Sequence, residues 1–378
     1  MTPPPDWSTT WLHLPVSRMD QAIGWDIPWL SGILAHNRPD GYWKRLDLTR
    51  DIEKLSIPAQ HVVGYYDFFC REVVSSFQRL RNNRKNQQLI LGPWDHGTIG
   101  KSKVGDLDVG NEAQLDLAQE NLLWFDRFLK GKASKPFAPV RYFSMGDNRW
   151  RSAQTWPPSS AAFTPFYLHS VGRANTRGGS GALSRTAPIG EEHPDMFQAD
   201  PANPVPSVPR ATNSVVWGPV NQDAGPDRED VLKYTSAVLT TPLTFAGPIR
   251  AEIYSFSDTR DADWVVKLID VQPSGFAQDL AVGVLRGSFR EGPSKHSLLE
   301  PGRVYLLDID LGHVGARLDR SHRLRVEISG SNFPLYDRNT NTGEGPTRSN
   351  MTISHQKILH SQKTPSRIIL PVLSARSR

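Results

Sequence analysis

The stretches Ile57–Phe69 (IPAQHVVGYYDFF) and Gln87–Thr98 (QQLILGPWDHGT) decide how this chain folds. Each opens as a short apolar run rich in Val, Ile or Leu, too brief for a helix, and reads as a buried strand. The first run ends at Gly64 and delivers Asp67 just beyond it. The second ends at Gly92-Pro93, where proline cannot continue a central strand, and delivers His96. Between them, Phe69–Arg84 places Val73, Phe77 and Leu80 at helical spacing. Strand, helix, strand predicts a parallel pair with both loops at its carboxyl edge.

Working outward, the N-terminal 50 residues are polar and irregular but carry Trp7, Trp11, Trp25, Trp29 and Trp43. That aromatic density predicts packing onto something, as a helical cap or as the wall of a ligand pocket. C-terminal to the pair, Glu112–Lys130 predicts a helix with Leu115, Ala118, Leu122, Phe125 and Leu129 on one face and Gly131 as its stop. Past Gly131 the pattern changes to short strands separated by Gly, Pro, Asn and Asp. The candidates are 140–145, 166–169, 214–217, 231–235, 243–256, 262–272, 281–289, 302–311, 323–330 and 367–372. Many strands without intervening helices predict a β-sandwich or jelly roll, with the boundary near residues 135–139.

The totals bound the function classes. A chain of 378 residues holds roughly two domains, each long enough for a core. Thirty Pro and 29 Gly favour a turn-rich, largely β architecture over long helices. The formal charge of +5 is small, and the densest basic patch, residues 79–85, reads as a solvated helix end; no nucleic-acid partner is expected. Cys70 is the single cysteine, which excludes an intrachain disulfide. The first 15 residues show no cationic stretch leading into an apolar core, and no apolar run reaches membrane-spanning length. A cytoplasmic protein with no membrane partner is the default expectation.

Chemically, a histidine held by a carboxylate can act as general base toward a hydroxyl and then return the proton to a leaving group. Asp67 and His96, each after its own strand, are the candidates, and an α/β-hydrolase presents the last two members of its triad in this way. The strand-to-helix nucleophile motif G-x-S-x-G is absent. Cys70 opens a helix, a place that can lower a thiol pKa, yet a buried small residue is the better reading. The eleven His form no HExxH, no paired cysteines exist, and no phosphate-cradling glycine motif occurs. Neither a metal nor a cofactor is expected.

Across nearly its whole length the chain resembles the cocaine-esterase / X-Pro dipeptidyl-peptidase group of serine hydrolases, the CocE/NonD hydrolases. The points of likeness run in order: GYYDFF (64–69), LILGPWDHG (89–97), WFDRFLKG (124–131), VRYFSMGDNRWRSAQTWP (140–157), FYLHSVGRAN (166–175), DPANPVPS (200–207), DVLKYTSAVL (230–239), DADWVVKLIDV (261–271) and HRLRVEISGSNFPLYDRNTNTG (322–343). Singly they are soft; in this order they are specific. The resemblance implies an α/β plus all-β chain: residues 1–50 as the tail of a helical cap, 51–136 as the C-terminal part (βαβα) of an α/β-hydrolase core, and 137–378 as a jelly roll. It implies Asp67 and His96 as triad aspartate and histidine, with Trp25, Trp29 and Phe68 at the substrate pocket and Leu14 nearby. The implied substrates are small-molecule esters, amides or short X-Pro peptides. It also implies that the serine elbow and the oxyanion-hole tyrosine belong to a segment preceding the cap, so this chain reads as the C-terminal portion of such an enzyme. A start assigned too far downstream is the favoured explanation; a truncated or split gene is the other. Two alternatives accompany this reading: an inactive jelly-roll ligand-binding module, and a chain that pairs with an N-terminal segment or forms a homodimer.

Overall fold

The computed structural model describes residues 7–83, 86–132, 136–175, 178–208 and 218–374. The strand expected at 214–217 lies outside the described residues. The N-terminal part consists of short helices: α1 (Trp7–Thr10), α2 (Met19–Ala22), α3 (Pro28–Ala35), α4 (Gly41–Lys44) and α5 (Thr49–Ile52). Pro28 opens α3, where a missing N–H costs nothing, and Asp40 caps α4 by accepting from the Tyr42 N–H at 2.8 Å.

Strand β1 (Ala59–Gly64), helix α6 (Cys70–Asn83) and strand β2 (Gln87–Gly92) form the expected unit, with β1 and β2 parallel from Ala59↔Gln87 to Gly64↔Gly92. Val74, Phe77 and Leu80 form the buried face of α6, which packs on both strands. A two-stranded ribbon, β3 (Lys103–Val104) and β4 (Leu107–Asp108), leads into α7 (Leu117–Phe128), capped by Asp116 accepting from Gln119. Gly131 follows with φ 64°, the left-handed stop expected at its position.

The buried face of α7 differs from expectation. Leu122, Phe125 and Leu129 are exposed, whereas Trp124 is buried and packs against Phe128 and Phe137, with ring centroids 4.6 and 5.1 Å away. The large aromatic pair at i and i+4 supplies more apolar area than the leucine stripe, so it sets which side turns inward.

Strand β5 (Val140–Ser144), expected to start the β-rich part, hydrogen-bonds into the first sheet instead, together with β6 (Arg149–Ala153), a strand not expected from sequence. The order is β1-β2-β5-β6, with β5 parallel to β2 and β6 antiparallel to β5. Strand periodicity carries no information about which sheet a strand joins. The remainder is an 11-stranded β system. It comprises β7 (Ala161–His169), β8 (Ala182–Ser184), β9 (Asp195–Ala199), β10 (Val231–Ser236), β11 (Leu243–Ser257), β12 (Asp263–Val271), β13 (Ala277–Arg286), β14 (Tyr305–Leu318), β15 (Arg323–Ser329), β16 (Ser354–Leu359) and β17 (Arg367–Leu373). The order β13-β12-β15-β10-β8-β7-β17-β11-β16-β9, with β14 on β11, brings inward residues of both halves into one core. Tyr234, Leu268 and Val326 share that cluster with Phe245, Ile253, Leu307 and Ile368. This is the sandwich the sequence pattern predicts. Strands β9 and β16 escaped notice because their inward positions include Asp195 and Gln356, which break the apolar alternation.

Candidate active site

Two glycines bring the strand ends together. A Cβ on Gly64 would sit 1.9 Å from the Trp94 carbonyl oxygen, and one on Gly92 would meet the Trp94 indole at 2.2 Å. Without side chains there, Trp94 folds back across both strand ends, fully buried, its indole N–H donating to the carbonyls of Lys101 (3.0 Å) and Ala113 (3.2 Å). The two turns are then stitched by main-chain bonds: Tyr65 N donates to Gly92 O at 2.9 Å and Tyr66 N to Trp94 O at 3.0 Å. Beyond Trp94, Asp95 closes a tight turn by accepting from Gly97 N and Thr98 Oγ1, both at 2.8 Å. His96 projects from that turn.

His96 Nδ1 lies 3.1 Å from Asp67 Oδ2, while Asp67 Oδ1 accepts from Phe69 N at 2.9 Å. The Asp67 side chain is 3% exposed and that of His96 56%. A buried carboxylate with both oxygens engaged is fixed in attitude; the half-exposed imidazole presents its other nitrogen to solvent. With Nδ1 as the donor toward Asp67, Nε2 is left as an acceptor. The rings of Phe68 and Phe69 flank His96 at 4.9 and 5.6 Å, and both phenylalanines are themselves exposed. A histidine held by a buried carboxylate and open on one side is an arrangement that can move a proton.

Of the pocket candidates, Phe68 stands beside the imidazole, and Trp25 and Trp29 are exposed on the helical N-terminal part. Ser31 lies exposed on α3. Cys70 is buried, and that burial pushes its thiol up to about 12. Among the described residues, no serine, threonine or cysteine side chain hydrogen-bonds to His96. Among them, too, no group of three or more His, Cys, Asp or Glu is placed to hold a metal, and no helix is long and apolar enough to cross a membrane. Phe69 and Trp94 were missed from sequence. The signal for Trp94 was the pair Gly64 and Gly92, whose absent side chains mark a close crossing.

The fold is thus a βαβ unit with an aspartate and a histidine on successive loops, joined to a β-sandwich. Residues 133–369 match the X-Pro dipeptidyl-peptidase C-terminal non-catalytic domain, and residues 6–98 match the X-Pro dipeptidyl-peptidase S15 family. The chain belongs to the CocE/NonD family of hydrolases. It is 34% identical to the cocaine esterase of Rhodococcus sp. (strain MB1 Bresler) over 362 residues, covering 93% of this chain and 62% of that one. It is 28% identical over 372 residues to a putative serine esterase of Mycobacterium bovis, covering 91% of this chain and 53% of that one. The chain thus spans between about half and three fifths of the length of these relatives. Among solved structures, an α-amino acid ester hydrolase superposes with a TM-score of 0.84 at 25% identity, covering 98% of this chain and 65% of that one. An aminopeptidase from a marine sediment archaeon, Thaumarchaeota archaeon, superposes with a TM-score of 0.81 at 25% identity, covering 96% and 62%.

Proposed function

We propose that this chain carries the acid–base pair of an acyl-transferring serine hydrolase acting on esters or amides, X-Pro peptide bonds included. The observation that carries the reading is the contact between half-exposed His96 and buried Asp67 at 3.1 Å. In this scheme Asp67 keeps the proton on Nδ1. Nε2 takes the proton of a serine hydroxyl as its oxygen attacks the substrate carbonyl carbon. The imidazolium, stabilised by Asp67, then returns the proton to the departing alcohol or amine, and the cycle repeats with water to release the acid. No step calls for a metal or cofactor. Phe68 would form the near wall of the acyl pocket, with Trp25 and Trp29 at its border. The serine would come from the segment that the family resemblance places before the cap.

A second reading has its own support: among the described residues the β1 edge of the sheet is unpaired, and Ile57 beside it is exposed. On that reading the chain is inactive alone and pairs with another polypeptide there, or its jelly roll binds a ligand. Leu89–Leu91 on the neighbouring strand β2 are fully buried between β1 and β5, so the surface is limited to the β1 side. Release of p-nitrophenol from a short-chain p-nitrophenyl ester separates the two. The serine-hydrolase reading expects turnover when the chain is co-expressed with the serine-bearing N-terminal segment of a relative, falling by about 10³-fold or more in His96→Ala. No turnover in either sample favours the second reading.

A further inference from the structure

The turn that carries Asp67 is gripped from the β-sandwich side. Tyr66 directly precedes Asp67, and its hydroxyl donates to the main-chain carbonyl of Asp279 on β13 at 2.9 Å. The same oxygen accepts from Gln278 Nε2 at 3.3 Å, and Met145 Sδ lies 3.6 Å away. Two neighbours add anchors, one to the first sheet and one to the sandwich. Tyr65 donates to Phe143 O at 2.9 Å, and Arg71 donates to Asp310 O at 2.9 Å. Side chains at positions 65, 66 and 71 thus anchor one turn to β5, β13 and β14.

Burial pushes the Tyr66 phenol well above its ordinary value, so it keeps its proton and stays a donor. The main chain of Tyr66 faces the other way, its N–H on Trp94 O, two residues before His96. Tyr66 therefore touches β13 with its side chain and the histidine turn with its backbone. From this geometry we infer that Tyr66 is a positioning residue, through which strand β13 of the sandwich sets the attitude of Asp67 toward His96. The inference rests on the acid–base reading proposed above. Its consequence is that the sandwich, although it donates no reacting group, takes part in organising the site. Displacements of about 1 Å in a catalytic group can cost about a hundredfold in rate, so an anchor of this kind bears on chemistry as well as on stability.

The test reads the histidine itself. With the chain uniformly labelled with ¹⁵N-histidine and held above the imidazole titration range, the ¹⁵N shifts of His96 report which nitrogen carries the proton. Assignment follows from His96→Asn. The expected result is an Nδ1–H tautomer in the wild type, its loss to Nε2–H in Asp67→Asn, and a mixture of the two in Tyr66→Phe. Loss of packing alone leaves the tautomer unchanged. An unaltered Nδ1–H form in Tyr66→Phe, beside its loss in Asp67→Asn, would overturn the inference while sparing the acid–base reading. Wild type and Asp67→Asn giving the same tautomer would sink that reading, and the inference with it. Should Tyr66→Phe fail to fold, Gln278→Met decides: it removes the donor to the Tyr66 hydroxyl and leaves the Asp279 bond, so a smaller shift in the same direction is expected and no shift overturns the inference.

Discussion

Asp279 shows how far a single residue can be driven by its surroundings. Burial pushes its carboxyl up to about 7, against the opposing pull of the Val220 N–H, which donates to Oδ1 at 2.7 Å, and the buried Lys267 cation. A carboxyl raised in the folded state binds its proton more tightly there than in the unfolded chain. Its favourable contribution is therefore complete at acid pH and lost as pH rises toward about 7, above which the full cost of a buried charge is present. Asp279→Asn keeps an acceptor for Val220 and removes the charge. It should leave stability at pH 4 nearly unchanged and raise it at pH 8 by on the order of 3 kcal/mol, read from urea unfolding midpoints. Nothing in the sequence marked Asp279: it sits in an ordinary alternating strand, and only its neighbours across the fold make it unusual. Asp67 and His96 were legible because each follows a glycine at a strand end. Cys70 was legible as a buried residue, and its raised thiol removes it from the candidate nucleophiles.

At the scale of elements, the crossing of β1 and β2 by Trp94 is the feature on which the site depends. Gly64 faces a main-chain carbonyl, which cannot swing aside as a side chain end can. Gly64→Ala should therefore cost about 3 kcal/mol, the upper part of the range for overpacked sites, and should separate the Asp67 and His96 turns. The thermal unfolding midpoint checks the first expectation and the ¹⁵N-histidine spectrum of His96 the second. Strand–helix–strand was readable because its apolar runs and breakers are local. The inward side of α7 was not, because Leu122, Phe125, Trp124 and Phe128 all satisfy a helical period and only the location of Phe137 chooses among them. Strand β5 was found as a strand, but its sheet was decided by pairing with β2, and β6, missed from sequence, follows it by pairing with β5.

Across the whole molecule, apolar surface remains exposed beside the first sheet. Leu122, Leu123, Phe125 and Leu129 lie outward on and just after α7, and Ile57, Phe68 and Phe69 near the ends of β1. Large apolar side chains left exposed on one element point to a contact surface there. The purified chain should bind a hydrophobic dye such as ANS, and Phe125→Ser with Leu129→Ser should lower that fluorescence while moving the urea midpoint by less than about 0.5 kcal/mol equivalent. Undiminished fluorescence would place the dye elsewhere. By itself the sequence determined the βαβ unit, the strand-rich second half, the residues delivered at both strand ends and the family, because periodicity, breakers and motif order are properties of neighbouring residues. Only the tertiary structure decided that β5 and β6 complete the first sheet, that α7 turns its tryptophan inward, that Cys70 holds its proton, and that Tyr66 ties the Asp67 turn to Asp279. Each of these depends on groups far apart in the chain, whose meeting is settled by competition for buried area and hydrogen-bond partners rather than by local pattern.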